Sequence, residues 1–226
     1  MKRRGKKYQA AADMIEAGKR YQVEEAIELV RQMKTAEFNE SVEISMRLGI
    51  NPKQSDQMIR GSISLPHGIG SEKKVVAFCE GPDVQAALDA GAVKAGGEDL
   101  VKEIEGGWMD FDVAVATPPM MRHVGKLGRV LGPQGLMPSP KSGTVTDDIV
   151  AAVQDFKAGR VEFRNDNSGN LHLLVGKRDF DAEALVENVQ AFVRQVLSMR
   201  PASVKGAFVR SACIGTTMGP SIPVSI

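Results

Sequence analysis

The chain is poor in aromatic and thiol side chains, and it has no long apolar run. Eight Phe, two Tyr and one Trp occur among 226 residues. So few rings argue against a stacking platform for single-stranded nucleic acid, in which successive bases rest on aromatic faces. The two cysteines, Cys79 and Cys213, lie far apart inside apolar strand-like segments. They read as reduced, buried thiols of a cytoplasmic protein, not as a disulfide framework. Nothing approaches the ~20 apolar residues of a membrane helix. The basic start, Met1-Lys2-Arg3-Arg4-Gly5-Lys6-Lys7, lacks the apolar core of a secretory signal. The expectation is a cytoplasmic protein with no membrane partner.

Catalytic signatures are also missing. His67, His123 and His172 stand alone, with no Cys or Asp at metal-ligand intervals. Neither Gly-X-Ser-X-Gly nor a Cys–His signature occurs. We therefore expect no enzyme, no metal and no cofactor.

The net charge of +1 conceals a split. Glu80 to Asp112 carries nine Asp/Glu against Lys94 and Lys102, whereas Val113 to Thr146 has no acid at all. That second stretch sets Arg122, Lys126, Arg129 and Lys141 among Gly125, Gly128, Gly132, Gly135 and Gly143. An electropositive field and close-approach backbone together point to phosphate. A nucleotide-binding Gly-rich loop over 125–143 is one reading. Its spacing fits poorly: Pro140 precedes Lys141-Ser142 where a Walker A loop needs glycine, and Gly125, Gly128 and Gly132 do not form Gly-X-Gly-X-X-Gly. A long irregular surface loop shaped by glycine and proline is the plainer alternative.

Two kinds of strand are legible. Ser41 to Gly49 alternates, with Val42, Ile44, Met46 and Leu48 apolar and Ser41, Glu43, Ser45 and Arg47 polar. Ile59 to Leu65, Arg160 to Asn165 and Asn170 to Gly176 share this period of two, as expected of an antiparallel sheet with one buried face. Asp166-Asn167-Ser168-Gly169 reads as a hairpin turn between the last two. Lys205 to Thr216 is a further strand candidate. By contrast, Val75 to Cys79 and Val113 to Ala116 are continuous apolar runs, typical of parallel strands buried on both faces. Helical patterns at 82–90, 98–105 and 146–159 separate or follow them, the last one capped by Thr146. Longer amphipathic helices are predicted at Val23–Lys34 and Asp181–Met199.

The economical arrangement mixes α+β and α/β classes in two domains. Residues 1–66 plus 160–226 form an α+β domain with a mainly antiparallel sheet made from both chain ends. Residues 67–159 form an inserted three-layer, Rossmann-like α/β domain. The two crossings make a hinge, with Pro66, Gly68 and Gly159 as its joints.

The remaining candidates are nucleic-acid contacts. Lys2, Arg3, Arg4, Lys6 and Lys7 are either a solvated end or phosphate ligands that release counterions on binding. Phe38, between a helix end and a strand, either caps the core or contacts RNA. The tail Thr216-Thr217-Met218-Gly219-Pro220-Ser221 offers hydroxyls, a flexible apolar side chain and a glycine, suited to ribose and base contacts without charge.

Several segments together resemble the large-subunit ribosomal protein L-one family, in its bacterial form. They are Ser64-Leu65-Pro66-His67-Gly68, Gly107-Trp108-Met109-Asp110-Phe111-Asp112, the run from Gly125 to Pro133, Gly135-Leu136-Met137-Pro138, Glu162-Phe163-Arg164-Asn165-Asp166 and the Thr216–Ser221 tail. The resemblance runs in order from about residue 3 to 221. It implies a structural protein of the large ribosomal subunit, monomeric when free. Such a protein binds large-subunit rRNA to form the mobile stalk and assists release of deacylated tRNA from the exit (E) site. It also represses translation by binding the leader of its own mRNA. Carried over by motif, the main RNA surface comprises Phe38, Ser41, Arg164, Asp166, Ser211, Thr216, Thr217, Met218 and Gly219. Lys126, Arg129 and Lys141 supply a secondary contact. Family members often carry a base where this chain has Glu37, and Arg or Lys where it has Gln134; both departures remove potential phosphate contacts and shift the expected weight to the N-terminal bases or the uncharged tail.

Overall fold

The structure is a computed structural model that describes residues 4–226. Contacts divide the chain into two compact units, residues 1–70 with 163–226, and residues 71–162.

The first segment begins with α1 (Lys6–Ala12) and α2 (Val23–Gln32). Glu24 and Glu25 open α2, where they complement the positive end of the helix dipole. Ala26, Ile27 and Val30 form its buried stripe. Strand β1 (Ser41–Leu48) follows, and its even-numbered residues are all buried while Glu43 and Arg47 are exposed. The alternation in sequence thus becomes one covered and one open face. Strand β2 (Arg60–Ser64) ends the segment.

In the inserted unit, β3 (Val75–Phe78) lies between β4 (Lys94–Gly96) and β5 (Val113–Ala116), all parallel. Both longer strands are wholly buried, because helices cover both faces. Val76, Phe78, Ala114 and Ala116 pack against Leu100, Val101 and Ile104 of α4 (Glu98–Glu105) and against Val124, Leu127 and Leu131. On the other face, Val75, Ala77, Val113 and Val115 meet Ala87 of α3 (Asp83–Asp89) and Val153 and Phe156 of α7 (Ile149–Lys157). Asp148, not Thr146, caps α7: its Oδ1 accepts from the Ala151 amide at 3.0 Å.

The first half of the glycine-rich stretch is helical; from Gly135 on it is irregular apart from a 3-10 turn at Pro140–Ser142. The helical half forms α5 (Met121–Val124), a 3-10 turn at Gly125–Leu127 and α6 (Gly128–Gln134). The buried spacing Val124, Leu127, Leu131 drives helix formation through three glycines and places the basic residues outward. Gly135 takes positive φ and ends α6.

The chain then returns through β6 (Arg160–Arg164), β7 (Asn170–Lys177), α8 (Ala182–Ser198), β8 (Val209–Thr216) and β9 (Ile222–Val224). The main sheet has the order β7-β1-β8-β9 and is antiparallel throughout. Its covered face meets Leu185, Val189, Phe192 and Val196, the buried stripe of α8, together with α2. The turn at 166–169 forms, with the Asp166 amide donating to the Asn170 carbonyl at 2.8 Å. Yet β6 pairs with β2 and β7 pairs with β1, so the turn joins two sheets and no hairpin results. Local turn chemistry cannot specify which distant strand each arm selects.

Candidate nucleic-acid interface

The site grows from one buried acid. Glu40 is 0% exposed, immediately before β1. Its Oε1 accepts from the Thr35 hydroxyl at 2.9 Å and the Ala36 amide at 3.0 Å. Its Oε2 accepts from the Met218 amide at 3.2 Å, and the Arg178 guanidinium lies 3.7 Å from Oε1. Burial alone would push this carboxyl up. Hydrogen bonds from the Thr216 and Thr35 hydroxyls and the Met218 and Ala36 amides outweigh it and hold the carboxyl below its usual range. One carboxylate thereby ties the end of the α2–β1 connection to the turn after β8.

Around this anchor, two large apolar side chains stand in solvent, Phe38 at 53% and Met218 at 57% exposure. That exposure removes the core-capping reading of Phe38. Ser41 and Thr217 bond reciprocally: the Thr217 amide donates to the Ser41 carbonyl at 3.1 Å, and the Ser41 amide donates to Thr217 Oγ1 at 3.2 Å. Lys177 Nζ donates to Ser41 Oγ at 2.8 Å, bringing a cation to the same rim.

Thr216 differs from its neighbours. It is 6% exposed, and its hydroxyl accepts from the Gly219 amide at 3.1 Å. It shapes the turn from beneath. A Cβ on Gly219 would lie 2.4 Å from Thr216 Oγ1, so this turn needs glycine for close approach.

Ser211 is exposed on the open face of β8, five residues from Thr216, or about 17 Å along a strand. It pairs across with Arg47 of β1, which pairs in turn with Asn170 of β7. Asp166 belongs to this second end. Its Oδ1 accepts from the Ser168 and Asn170 amides at 2.7 and 2.8 Å, and its Oδ2 accepts from Asn170 Nδ2 at 2.9 Å. The Asn170 amide chiefly holds its carboxyl below the usual range; partial desolvation opposes this, while the Asn170 side chain, the Ser168 amide and nearby His172 reinforce it. Asp166 is thus a turn staple, and Arg164 beside it is exposed. Arg60, Arg164 and Asn165–Asn167 line one open groove with Met58. Ser41 and Ser211 therefore mark two ends of one open sheet face, joined by Glu43, Ser45 and His172, while Arg164 on β6 and Asp166 in the turn lie beside its second end.

Of the N-terminal bases, Lys2 and Arg3 lie outside the described residues. Arg4 sits 4.7 Å over the Tyr8 ring, and Lys6 and Lys7 are exposed at the start of α1. In the inserted unit, Lys126, Arg129 and Lys141 are all exposed. Gly125, Gly128 and Gly132 would meet nothing within 4 Å if given a Cβ, so open space faces each of them. Pro66 is exposed, Gly68 has φ +62° and Gly159 has φ +110°.

Sequence reasoning missed Glu40, Arg47 and the role of Lys177. Arg47 was within reach, because the period of two places it on the polar face with Ser41. Glu40 carried no signal, since its partners are up to 178 residues away. Among the described residues no cluster of His, Cys, Asp or Glu could hold a metal ion, and no helix is long and apolar enough to cross a membrane.

An α+β unit with an open, hydroxyl-rich sheet face and an inserted parallel α/β unit define a class, and the comparisons agree with it. The chain belongs to the family described as Ribosomal protein L1p/L10e, which matches residues 30–220. It is 51% identical to the large ribosomal subunit protein uL1 of Kosmotoga olearia over 222 residues, 98% of this chain and 96% of that protein. This is a family of ribosomal proteins, not of enzymes.

Proposed function

We propose that the chain is a structural protein of the large ribosomal subunit that binds folded large-subunit rRNA through the open sheet face of residues 1–70 and 163–226. The carrying observation is the rim around buried Glu40, where Phe38, Ser41, Lys177, Thr217 and Met218 converge. Rigid hydroxyls and apolar tips with few cations suit sugar edges and base faces of a folded RNA better than a bare phosphate track. Ser211 extends the contact along the sheet, Arg164 adds a cation from the neighbouring β2–β6 pair, and the N-terminal bases add phosphate neutralisation.

Lys126, Arg129 and Lys141 form a second, weaker RNA contact on the inserted unit. Two crossings, at Pro66–Gly68 and Gly159, form the hinge of a mobile stalk in the cytoplasmic ribosome. Its further roles are to assist release of deacylated tRNA from the exit site and to repress translation of its own mRNA. When free it is a monomer. The nucleotide-binding alternative loses its main support, because Gly125, Gly128 and Gly132 lie in helical turns instead of a phosphate cradle.

A footprint on the stalk rRNA fragment and on the leader of its own mRNA, beside binding of ATP and GTP, tests this reading. Protection of similar folds in both RNAs, with no nucleotide binding, is expected. Tight nucleotide binding without RNA preference would overturn it.

A further inference from the structure

Helix α8 carries more apolar surface than its fold consumes. Leu185, Val189, Phe192 and Val196 face the sheet. A second stripe, Ala182, Val186, Val193 and Leu197, lines open grooves on the side toward α2, and Leu197 is 47% exposed. An amphipathic helix of a folded unit needs one such stripe. The second is only partly covered: Ala182, Val186 and Val193 are half-buried and Leu197 is exposed.

Charge along this seam is graded. At the Ala182 end the groove is walled by Glu24 and Glu28 of α2 and Glu183 and Glu187 of α8. At the Leu197 end it is lined by Val23, Val193, Leu197 and Ile226, with Arg194 as the cation. Gln190 Nε2 donates to Glu24 Oε1 at 3.3 Å, where the two halves meet along the seam.

We propose that the α2–α8 seam is a docking groove for a basic amphipathic helix of a partner protein. Four carboxylates over an apolar floor complement a helix with Lys or Arg flanking a Leu-type stripe. The stretch from Ala182 to Leu197 spans about 22 Å at 1.5 Å per residue, room for about four turns. Arg194 at the far end sets the direction, with the partner's basic end over the glutamates. RNA is disfavoured, because the same carboxylates repel phosphate. Self-pairing is disfavoured as well, because a two-fold dimer would bring this acidic patch against its own copy.

The probe is a fluorescein-labelled Leu/Lys amphipathic peptide of about 18 residues, titrated against the full chain. The expected result is saturable binding, weakened about tenfold or more by the double variant Glu28→Gln/Glu183→Gln and separately by Leu197→Ser. Both variants should keep full affinity for the stalk rRNA fragment. Equal peptide affinity for the variants and the unaltered chain would overturn the proposal. So would equal binding of a scrambled peptide of the same composition. Loss of rRNA affinity in the variants would assign the groove to RNA and overturn it too.

Discussion

The Met218 amide donates to the Glu40 carboxylate at 3.2 Å across 178 residues of chain. This bond fixes the exposed Met218 tip by a group that no RNA can touch, because Glu40 is fully buried. Stability and binding are therefore coupled at Glu40 and separable at its neighbours.

Replacing Glu40 with Gln removes the charge and leaves the amide NH2 facing donors. The expected loss is about 2 kcal/mol at neutral pH, the scale of hydrogen bonds to a buried charged group. Its carboxyl is held below the usual range in the folded chain. Its contribution is thus complete above the unfolded value of about 4.3, and is lost as pH falls through the lower folded value. Urea midpoints of the two proteins should converge on acidification. A gap that stays constant with pH would detach Glu40 from acid stability.

Phe38→Ala and Met218→Ala should separate binding from folding. Both side chains are more than half exposed, so each truncation should shift stability by no more than about 0.5 kcal/mol. Each should weaken affinity for the stalk rRNA fragment by about tenfold, or ~1.4 kcal/mol. Normal affinity in both variants would remove this rim from the RNA surface. Thr216→Val makes the complementary case: it should lower stability as well as affinity, because the buried hydroxyl serves the turn.

How much of this was legible depends on the range over which each choice is made. Strand β1 and helix α4 were readable, because alternation at Val42–Leu48 and helical spacing at Leu100–Ile104 are local. The pairing of β6 was not, because Asp166–Gly169 makes a sound turn whichever sheet its arms join. The helical path through Gly125–Gly132 was obscured by three glycines that lower intrinsic propensity, although Val124, Leu127 and Leu131 carried the period. Phe38 and Met218 were nominated by residue type and position, Phe38 with core capping as its alternative, and the motif resemblance then placed both on the RNA surface. Their platform, Glu40, was hidden because a buried acid and a loop acid look alike until distant donors arrive.

Lys126 is exposed in the inserted unit, beside Gly125 and Gly128, which face open space. Lys126→Ala should leave affinity nearly unchanged at low salt. It should reduce the slope of log K against log salt by about 1, the signature of one lost phosphate contact. An unchanged slope would make Lys126 a solvated bystander and place the secondary contact on Arg129 or Lys141.

Asn188 governs the crossing at Gly68. It is fully buried; its Oδ1 accepts from the His67 amide at 3.1 Å, and its Nδ2 donates to the Gly68 and Val175 carbonyls at 3.0 and 2.8 Å. Asn188→Leu keeps the volume but strands three backbone groups, at an expected cost of about 2–3 kcal/mol. Asn188→Asp should cost more at neutral pH, since it retains one acceptor yet sets a buried carboxylate against two carbonyl oxygens. The order Asn > Leu > Asp in urea midpoint would show that donation to Gly68 and Val175, not shape, anchors the chain after β2. Amide exchange at His67 should accelerate in both variants. If Leu proves as stable as Asn, the crossing is held by packing alone.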